Sequence, residues 1–252
     1  MTQNKSTVDC EMIQSPIFGK SLYVQLFNTK TCLFDCIYCR FGRTTNKSLE
    51  HVKGDSADLA AAKIASSLNT YGTVEHIILA ACGDPVLYSG ISALVMRIKK
   101  TVQIPIVIAS CGTKLWHREI QRDISTADIV LASLDAPNDK IFTRINRAHG
   151  QIPFDRYISG LILFTRSFAG KLWLVVTMID ELNTSEDTVK GIAEMMKQIG
   201  PARILLNSSE QIGVRPLQYT QDKKWLHNYS KYFGDRVTVV ESELFEAKSH
   251  RE

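Results

Sequence analysis

Cys32-Leu33-Phe34-Asp35-Cys36-Ile37-Tyr38-Cys39 places three cysteines in eight residues, directly after an apolar run. Neighbouring thiols on one tight loop point inward together, which suits them to hold a metal or an iron–sulfur cluster. Three ligands on a four-position site leave one position open, and an open metal position is where chemistry takes place. Other polar and thiol-bearing residues fall in short groups after later apolar runs. These are Cys82-Gly83-Asp84-Pro85, Ser110-Cys111-Gly112-Thr113, Ser133-Leu134-Asp135, Asp180 with Asn183, and Asn207-Ser208-Ser209-Glu210. A further stretch carries Arg144, Asn146, Arg147 and His149. Loops are ordinarily polar, which accounts for part of this collection but not for the cysteine triplet.

The apolar runs before these groups read as strands: Ser21 to Phe27, His76 to Ala81, Ile104 to Ala109, Ile129 to Leu134, Leu172 to Met178 and Arg203 to Leu206. They are continuous rather than alternating, as expected for a parallel sheet covered on both faces. Helical spacing falls between them, over residues 55–71, 91–101, 114–124, 154–168 and 184–199. Asp55 or Ser56, and Thr184 or Ser185, stand as caps, and Glu186 and Asp187 sit where a helix dipole favours acids. A helix near Asp222 to Phe233 and a strand over Arg236 to Glu241 come last. Residues 1–15 read as a loose polar lead-in, and 16–252 as one domain without a linker. About six strand–helix units in series imply an α/β fold with right-handed crossovers. Such a chain can form a partial barrel or an open doubly wound sheet. In either, function sits at the C-terminal strand ends, where the groups above fall.

A chain of 252 residues, 44% hydrophobic and 22% charged, has the composition of an ordinary globular protein. No apolar run approaches the roughly 20 residues of a bilayer span. Met1 to Asp9 is polar and lacks a secretory core, so a cytoplasmic location is expected, with no membrane partner. There, six cysteines favour metal binding over a disulfide framework. The net charge of +4 is mild and scattered; it permits an anionic partner without arguing for one. Neither G-x-G-x-x-G nor G-x-x-x-x-G-K-[ST] occurs, nor H-E-x-x-H or a nucleophile elbow.

The C-x-x-x-C-x-x-C spacing, with an aromatic before the last cysteine and a six-fold β/α chain behind it, resembles the radical S-adenosylmethionine (SAM) superfamily. The finer resemblance is to small iron–sulfur oxidoreductases related to the catalytic domain of the wyosine tRNA-modifying enzyme. It runs from about Pro16 to Val240. Lys30 to Cys32, Gly42-Arg43-Thr44-Thr45, Ser133-Leu134-Asp135, Ile145 to His149 and Gly170 to Leu174 carry it.

The resemblance implies a partial six-fold TIM-like barrel. Cys32, Cys36 and Cys39 would hold three irons of a single 4Fe–4S cluster, and SAM would chelate the fourth through its amino and carboxylate groups. A low-potential electron, from a donor of the flavodoxin or ferredoxin type, would cleave SAM to a 5′-deoxyadenosyl radical that abstracts hydrogen from substrate. Gly83-Asp84-Pro85 matches the segment that receives the SAM amino group, with aspartate where the family carries glutamate; Gly-Asp-Pro is equally good turn chemistry. Ser110, Ser133 and Asp135 match positions reaching the SAM carboxylate and ribose. Tyr38 matches the aromatic beside adenine, or simply packs the loop.

Cys82 and Cys111 have no counterpart in the resemblance. Each is either a small buried residue or a participating thiol or auxiliary-metal ligand. Arg144, Asn146, Arg147 and His149 form either a substrate-facing loop for an anionic group or a solvated one. No second cysteine set or appended RNA-binding domain is visible, and residues 207–211 depart from the proline-rich pattern expected in the subgroup. The substrate stays open between a small metabolite or cofactor precursor, a protein side chain and tRNA. A non-catalytic electron-transfer or cluster-carrier protein is the competing reading. A zinc module is a third, weakened by the lack of a fourth cysteine in the motif.

Overall fold

Strand residues alternate between two apolar surroundings, and that alternation shapes the molecule. The computed structural model describes residues 7–209, 211–212, 215–216, 223–242 and 244–245. Its strands are β1 (Asp9–Ser15), β2 (Gly19–Gln25), β3 (His76–Ala80), β4 (Ile106–Ala109), β5 (Ile129–Ser133), β6 (Lys171–Met178), β7 (Arg203–Ser208), β8 (Gln211–Ile212), β9 (Arg215–Pro216) and β10 (Val237–Val239). One eight-stranded sheet runs in the order β1-β2-β3-β4-β5-β6-β7-β10, and β8 pairs only with β9. Within that sheet β1 is antiparallel to β2, and every other pairing is parallel.

The helices between strands are α1 (Ala57–Tyr71), α2 (Ile91–Thr101), α3 (Arg118–Asp123), α4 (Asp139–Ile145), α5 (Phe154–Ser167) and α6 (Glu186–Ile199), with α7 (His227–Ser230) before β10. From β2 to β7 the strand order never reverses. Right-handed crossovers that all step the same way put the helices on one face and curl the other inward. A doubly wound sheet would need a reversal. The fold is therefore a partial barrel.

Leu22, Val24, Ile77, Leu79, Ile106 and Ile108 pack under the helices. Tyr23, Ile78, Val107, Leu131, Trp173 and Leu205, offset by one residue, fill the inner face. Phe18, Trp173 and His76 plug the N-terminal end, with ring centroids 5.2 Å apart for Phe18–Trp173 and for Phe18–His76. Space for a ligand is thereby left to the opposite, C-terminal end of the strands. The open side between β1 and β10 is crossed by the chain after β10. There Ser15 Oγ donates to the Leu244 carbonyl at 3.1 Å, and Phe245 stacks on Phe18 at 6.2 Å.

Ser56 and Ser185 are the caps of α1 and α6, accepting from Leu59 N and Thr188 N. Each such cap is worth about 1 kcal/mol. Four elements differ from the sequence reading. The helix expected near Asp222 to Phe233 is a 3₁₀ turn over Lys223–Leu226 followed by the four-residue α7, and Asp222 lies outside the described residues. The lead-in expected over 1–15 contains β1, an edge strand with only Ile13 and Ser15 buried, so its apolar signal is thin. The helix expected over 114–124 is confined to α3, because Gly112 takes φ +82° and Thr113 turns its hydroxyl to Asp84, with the chain in turns up to His117. The loop expected around Arg144 holds α4, capped by the Asn138 side chain. Glu210 lies outside the described residues. Among the described residues no helix is long and apolar enough to cross a membrane.

Candidate functional site

The cysteine loop leaves β2 and is gripped on two sides. On one, Thr31 N donates to the Cys82 carbonyl at 3.0 Å and Asp84 N to the Thr31 carbonyl at 3.2 Å. Gly83 takes φ +139° there, and a Cβ on it would lie 1.7 Å from the Thr31 oxygen, so only glycine fits. On the other side Asp35 N and Ile37 N donate to the carbonyls of Asn146 (2.9 Å) and Ile145 (3.0 Å). His149 N donates back to the Leu33 carbonyl at 2.8 Å. Asp35 folds the loop's exit by accepting from Thr44 N at 2.7 Å.

Each thiol of the triplet meets a nitrogen donor. Phe34 N lies 3.4 Å from Cys32 Sγ, Asn146 Nδ2 3.5 Å from Cys36 Sγ, and Lys30 Nζ 2.7 Å from Cys39 Sγ. Cys111 Sγ sits 3.7 Å from Cys32 Sγ. That contact draws the Cys32 thiol down and pushes the Cys111 thiol well up. Burial, with Asp135 nearby, pushes the Cys36 thiol well up. A thiolate buried this way is costly unless a metal neutralises it.

Among the described residues no three His, Cys, Asp or Glu side chains converge on one point as ligands of a single ion. The three thiols instead border a shared cavity of about 320 Å³. A cluster takes each thiolate on a different iron, and that donor set fits. Gly83, Cys111, Thr177 and residues 207–209 from the strand ends, and Leu244 and Phe245 from the chain after β10, also line it. Asn207 has a buried side-chain oxygen with no hydrogen-bond partner among the described residues.

Two buried carboxylates brace the rim. Asp84 accepts from Ser110 Oγ (2.8 Å), Thr113 Oγ1 (2.9 Å) and Val86 N (3.3 Å). Burial raises its pKa against those donors. Ser110 Oγ also accepts from Gly112 N at 2.9 Å, and Pro85 opens a buried 3₁₀ turn. Asp135 accepts from Tyr38 OH (2.6 Å), Asn146 Nδ2 (2.7 Å) and Thr177 N (2.8 Å). Burial raises its pKa as well, and burial pushes the Tyr38 phenol well up. Asn183 Nδ2 holds the Asp135 carbonyl at 2.9 Å, and Tyr157 OH sits between the carbonyls of Cys111 and Ser133.

Of the residues expected at the site, Cys32, Cys36, Cys39, Tyr38, Gly83 and Cys111 border the cavity. Asp84, Pro85, Ser110 and Asp135 lie behind its walls with their polar atoms engaged. Ser133 ends β5 on the inner-facing register, and half-buried Cys82 lies outside the cavity walls. The four residues expected to face substrate separate. Asn146 is buried as a tie between Cys36 and Asp135. Arg144 is exposed at the end of α4, and half-buried His149 secures Leu33 through its backbone. Arg147, at φ +46°, stands 3.9 Å from Asp35 and borders a hollow of about 130 Å³ on the outer side of the loop.

Lys30 and Thr177 are site residues whose contacts the sequence reading did not find, whereas Asn207, Ser208 and Ser209 were expected at a strand end and border the cavity. Period-two spacing from Trp173 would have placed Thr177 on the inner face at the strand end. For the Lys30 contact no comparable signal exists.

A partial β/α barrel with a three-thiol loop at the head of its first parallel strand, and small polar groups at the other strand ends, defines a cluster-bearing barrel class. Residues 28–196 match the family model of the Radical SAM superfamily, and the chain belongs to that superfamily. These are enzymes that work with SAM and an iron–sulfur cluster.

The chain is 31% identical over 242 residues to a protein titled GTPase Obg from Brachyspira hyodysenteriae. The match covers 94% of this chain and 35% of that one. It is 27% identical over 198 residues to a UPF0026 protein of Methanocaldococcus jannaschii, covering 78% and 61%. The chain thus spans about a third and about three-fifths of these relatives.

Among solved structures, a radical SAM methyltransferase from Sphaerobacter thermophilus aligns with TM-score 0.67 at 14% identity, covering 93% of this chain and 77% of that one. Streptococcus suis SuiB bound to precursor peptide SuiA aligns with TM-score 0.67 at 13% identity, covering 93% and 51%. TYW1 with a lysine–pyruvate adduct bound, a wyosine synthesis enzyme, aligns with TM-score 0.57 at 16% identity, covering 78% and 67%. At these identities the likeness is one of fold.

Proposed function

We propose that this chain is a radical SAM enzyme whose Cys32, Cys36 and Cys39 thiolates hold a 4Fe–4S cluster with one iron left open for SAM. The observation that carries the reading is the shared cavity: three thiols, each with its own nitrogen donor, border one space at the strand ends. When bound, the cluster and SAM supply one-electron cleavage of the sulfonium and a 5′-deoxyadenosyl radical for hydrogen abstraction. The electron comes from a low-potential donor of the flavodoxin or ferredoxin type.

The chain's own residues bind, orient and exclude water. Asp84 is occupied by Ser110 and Thr113, so the backbone carbonyl at Gly83 is the acceptor for the SAM amino group. Tyr38 has its hydroxyl tied to Asp135, which leaves its ring as the surface for adenine. Asn207 supplies an unpartnered acceptor to a ligand donor. Phe34, Leu244 and Phe245 give the cavity apolar walls, keeping water from a reactive radical. Cys111, at the cavity, is the better placed of the two extra thiols for a part in turnover. The substrate is a small metabolite or cofactor precursor, a protein side chain, or tRNA.

The test is anaerobic reconstitution followed by iron and sulfide analysis, EPR with and without SAM, and product analysis after reduction. About four irons per chain, an EPR signal altered by SAM, and 5′-deoxyadenosine are expected. A fully loaded cluster whose signal ignores SAM and which forms no 5′-deoxyadenosine would leave an electron carrier instead.

A further inference from the structure

We propose that Lys30 is a positioning residue of the cluster site: its ammonium holds the Cys39 sulfur and raises the cluster's affinity for an electron. This rests on the reading of Cys39 as a cluster ligand. Lys30 Nζ is 2.7 Å from Cys39 Sγ, and Lys30 borders the same cavity as the three thiols. The ammonium also lies 5.5 Å from the centre of the Phe41 ring, which shields it on that side. The sulfurs of Cys39, Cys32 and Cys111 act on it electrostatically, Cys82 feels its charge as well, and among the described residues it forms no ion pair with a carboxylate. The nearest further cation on the loop, Arg40, is engaged elsewhere, with Tyr23 OH at 2.9 Å and the Phe245 carbonyl at 2.5 Å. Among the described residues Lys30 is thus aimed at sulfur.

The three thiols do not receive equal donors. Cys32 and Cys36 meet neutral N–H groups from Phe34 and Asn146, whereas Cys39 meets a full positive charge. Charge-assisted hydrogen bonds are roughly twice as strong as neutral ones. Net charge, hydrogen bonds to sulfur and solvent exposure set a cluster's reduction potential. A cation fixed beside one ligand stabilises the electron-rich state more than the electron-poor one, and a half-buried site screens it less than water would. Lys30 also joins the segment that leads from β2 into the triplet to the last cysteine, Cys39, so it ties the two ends of the loop together.

The experiment compares wild type with K30M, K30Q and K30R in the full chain, reconstituted without oxygen. Iron and sulfide content are measured first, then the midpoint potential by EPR-monitored redox titration in the absence of SAM. The expected result is wild-type iron in K30Q and K30R, a midpoint shifted to more negative potential in K30M and K30Q, and recovery in K30R. If K30M loses iron, K30Q carries the same comparison with a neutral donor in place of the charge. Loaded K30M or K30Q with an unshifted midpoint overturns the role of Lys30 while leaving the cluster reading intact. A wild-type chain that takes up no iron–sulfur cluster overturns the underlying reading, and this one with it.

Discussion

Asn146 Nδ2 lies 2.7 Å from Asp135 Oδ2, and the same nitrogen reaches Cys36 Sγ at 3.5 Å. One buried amide, 110 residues from Cys36 in sequence, thus couples the segment after β5 to the middle of the cysteine loop. Asp135 has two further donors, Tyr38 OH and Thr177 N. D135A strands all three, and leaving buried donors unmade costs about 2–4 kcal/mol. Urea unfolding of the cluster-free chain measures it. A double-mutant cycle with N146A should be non-additive, because both changes break the same contact. Strict additivity would show that the pair is not coupled.

Gly83→Ala tests the other grip on the loop. The added Cβ would sit 1.7 Å from the Thr31 carbonyl, on a backbone at φ +139°. Both the clash and the left-handed strain act, so a loss of at least about 3 kcal/mol is expected. Reconstituted iron should fall with it, because Thr31 leads directly into Cys32. Wild-type stability and full iron in G83A would show that the loop is free to move away.

Asp84 gives a pH dependence with a definite sign. Burial raises its folded-state pKa above the ordinary 3.8. The folded chain therefore holds this proton more tightly than the unfolded chain does. Its contribution to stability is fully present below the unfolded value and declines as pH rises through the raised one. D84N, which cannot ionise, should lack this decline. The stability of wild type relative to D84N should fall as pH rises out of the acid range, as read from urea midpoints across pH. A difference that grows in favour of wild type with pH would reverse the assignment.

How far the sequence carried these arguments depended on the range of the interaction. The parallel strands were legible because burial on both faces makes them continuous apolar runs, as in His76–Ala80 and Ile106–Ala109. The triplet was legible because its spacing is local. Strand β1 escaped because an edge strand alternates with polar residues and buries little. Helix α4 escaped because seven residues give a weak period. The site's supporting contacts were the least legible. Nothing local says that Asn146 reaches Cys36, or that Asp84 turns into the wall towards Ser110 and Thr113. The groups at each strand end could be named from the sequence, but which of them face the cavity depends on packing between distant segments.

Cys82 and Cys111 occupy matching places after β3 and β4, yet the structure separates them. Cys111 borders the cavity with its sulfur 3.7 Å from Cys32 Sγ, whereas Cys82 lies outside the cavity walls. Neither belongs to the triplet, so C82S and C111S should each bind wild-type iron after reconstitution. Only C111S should reduce turnover or the coupling of 5′-deoxyadenosine formation to substrate. Ser approximates the size of Cys but cannot match its polarisable, oxidisable sulfur, so a loss in C111S at constant iron points to the thiol itself. C111A separates packing from chemistry, since a packing role would be tolerated better by the apolar side chain than by the hydroxyl. Should C111S lose iron as well as activity, Cys111 supports the Cys32 corner of the cluster instead. Equal, wild-type behaviour of both serine variants would leave the two cysteines as small buried residues.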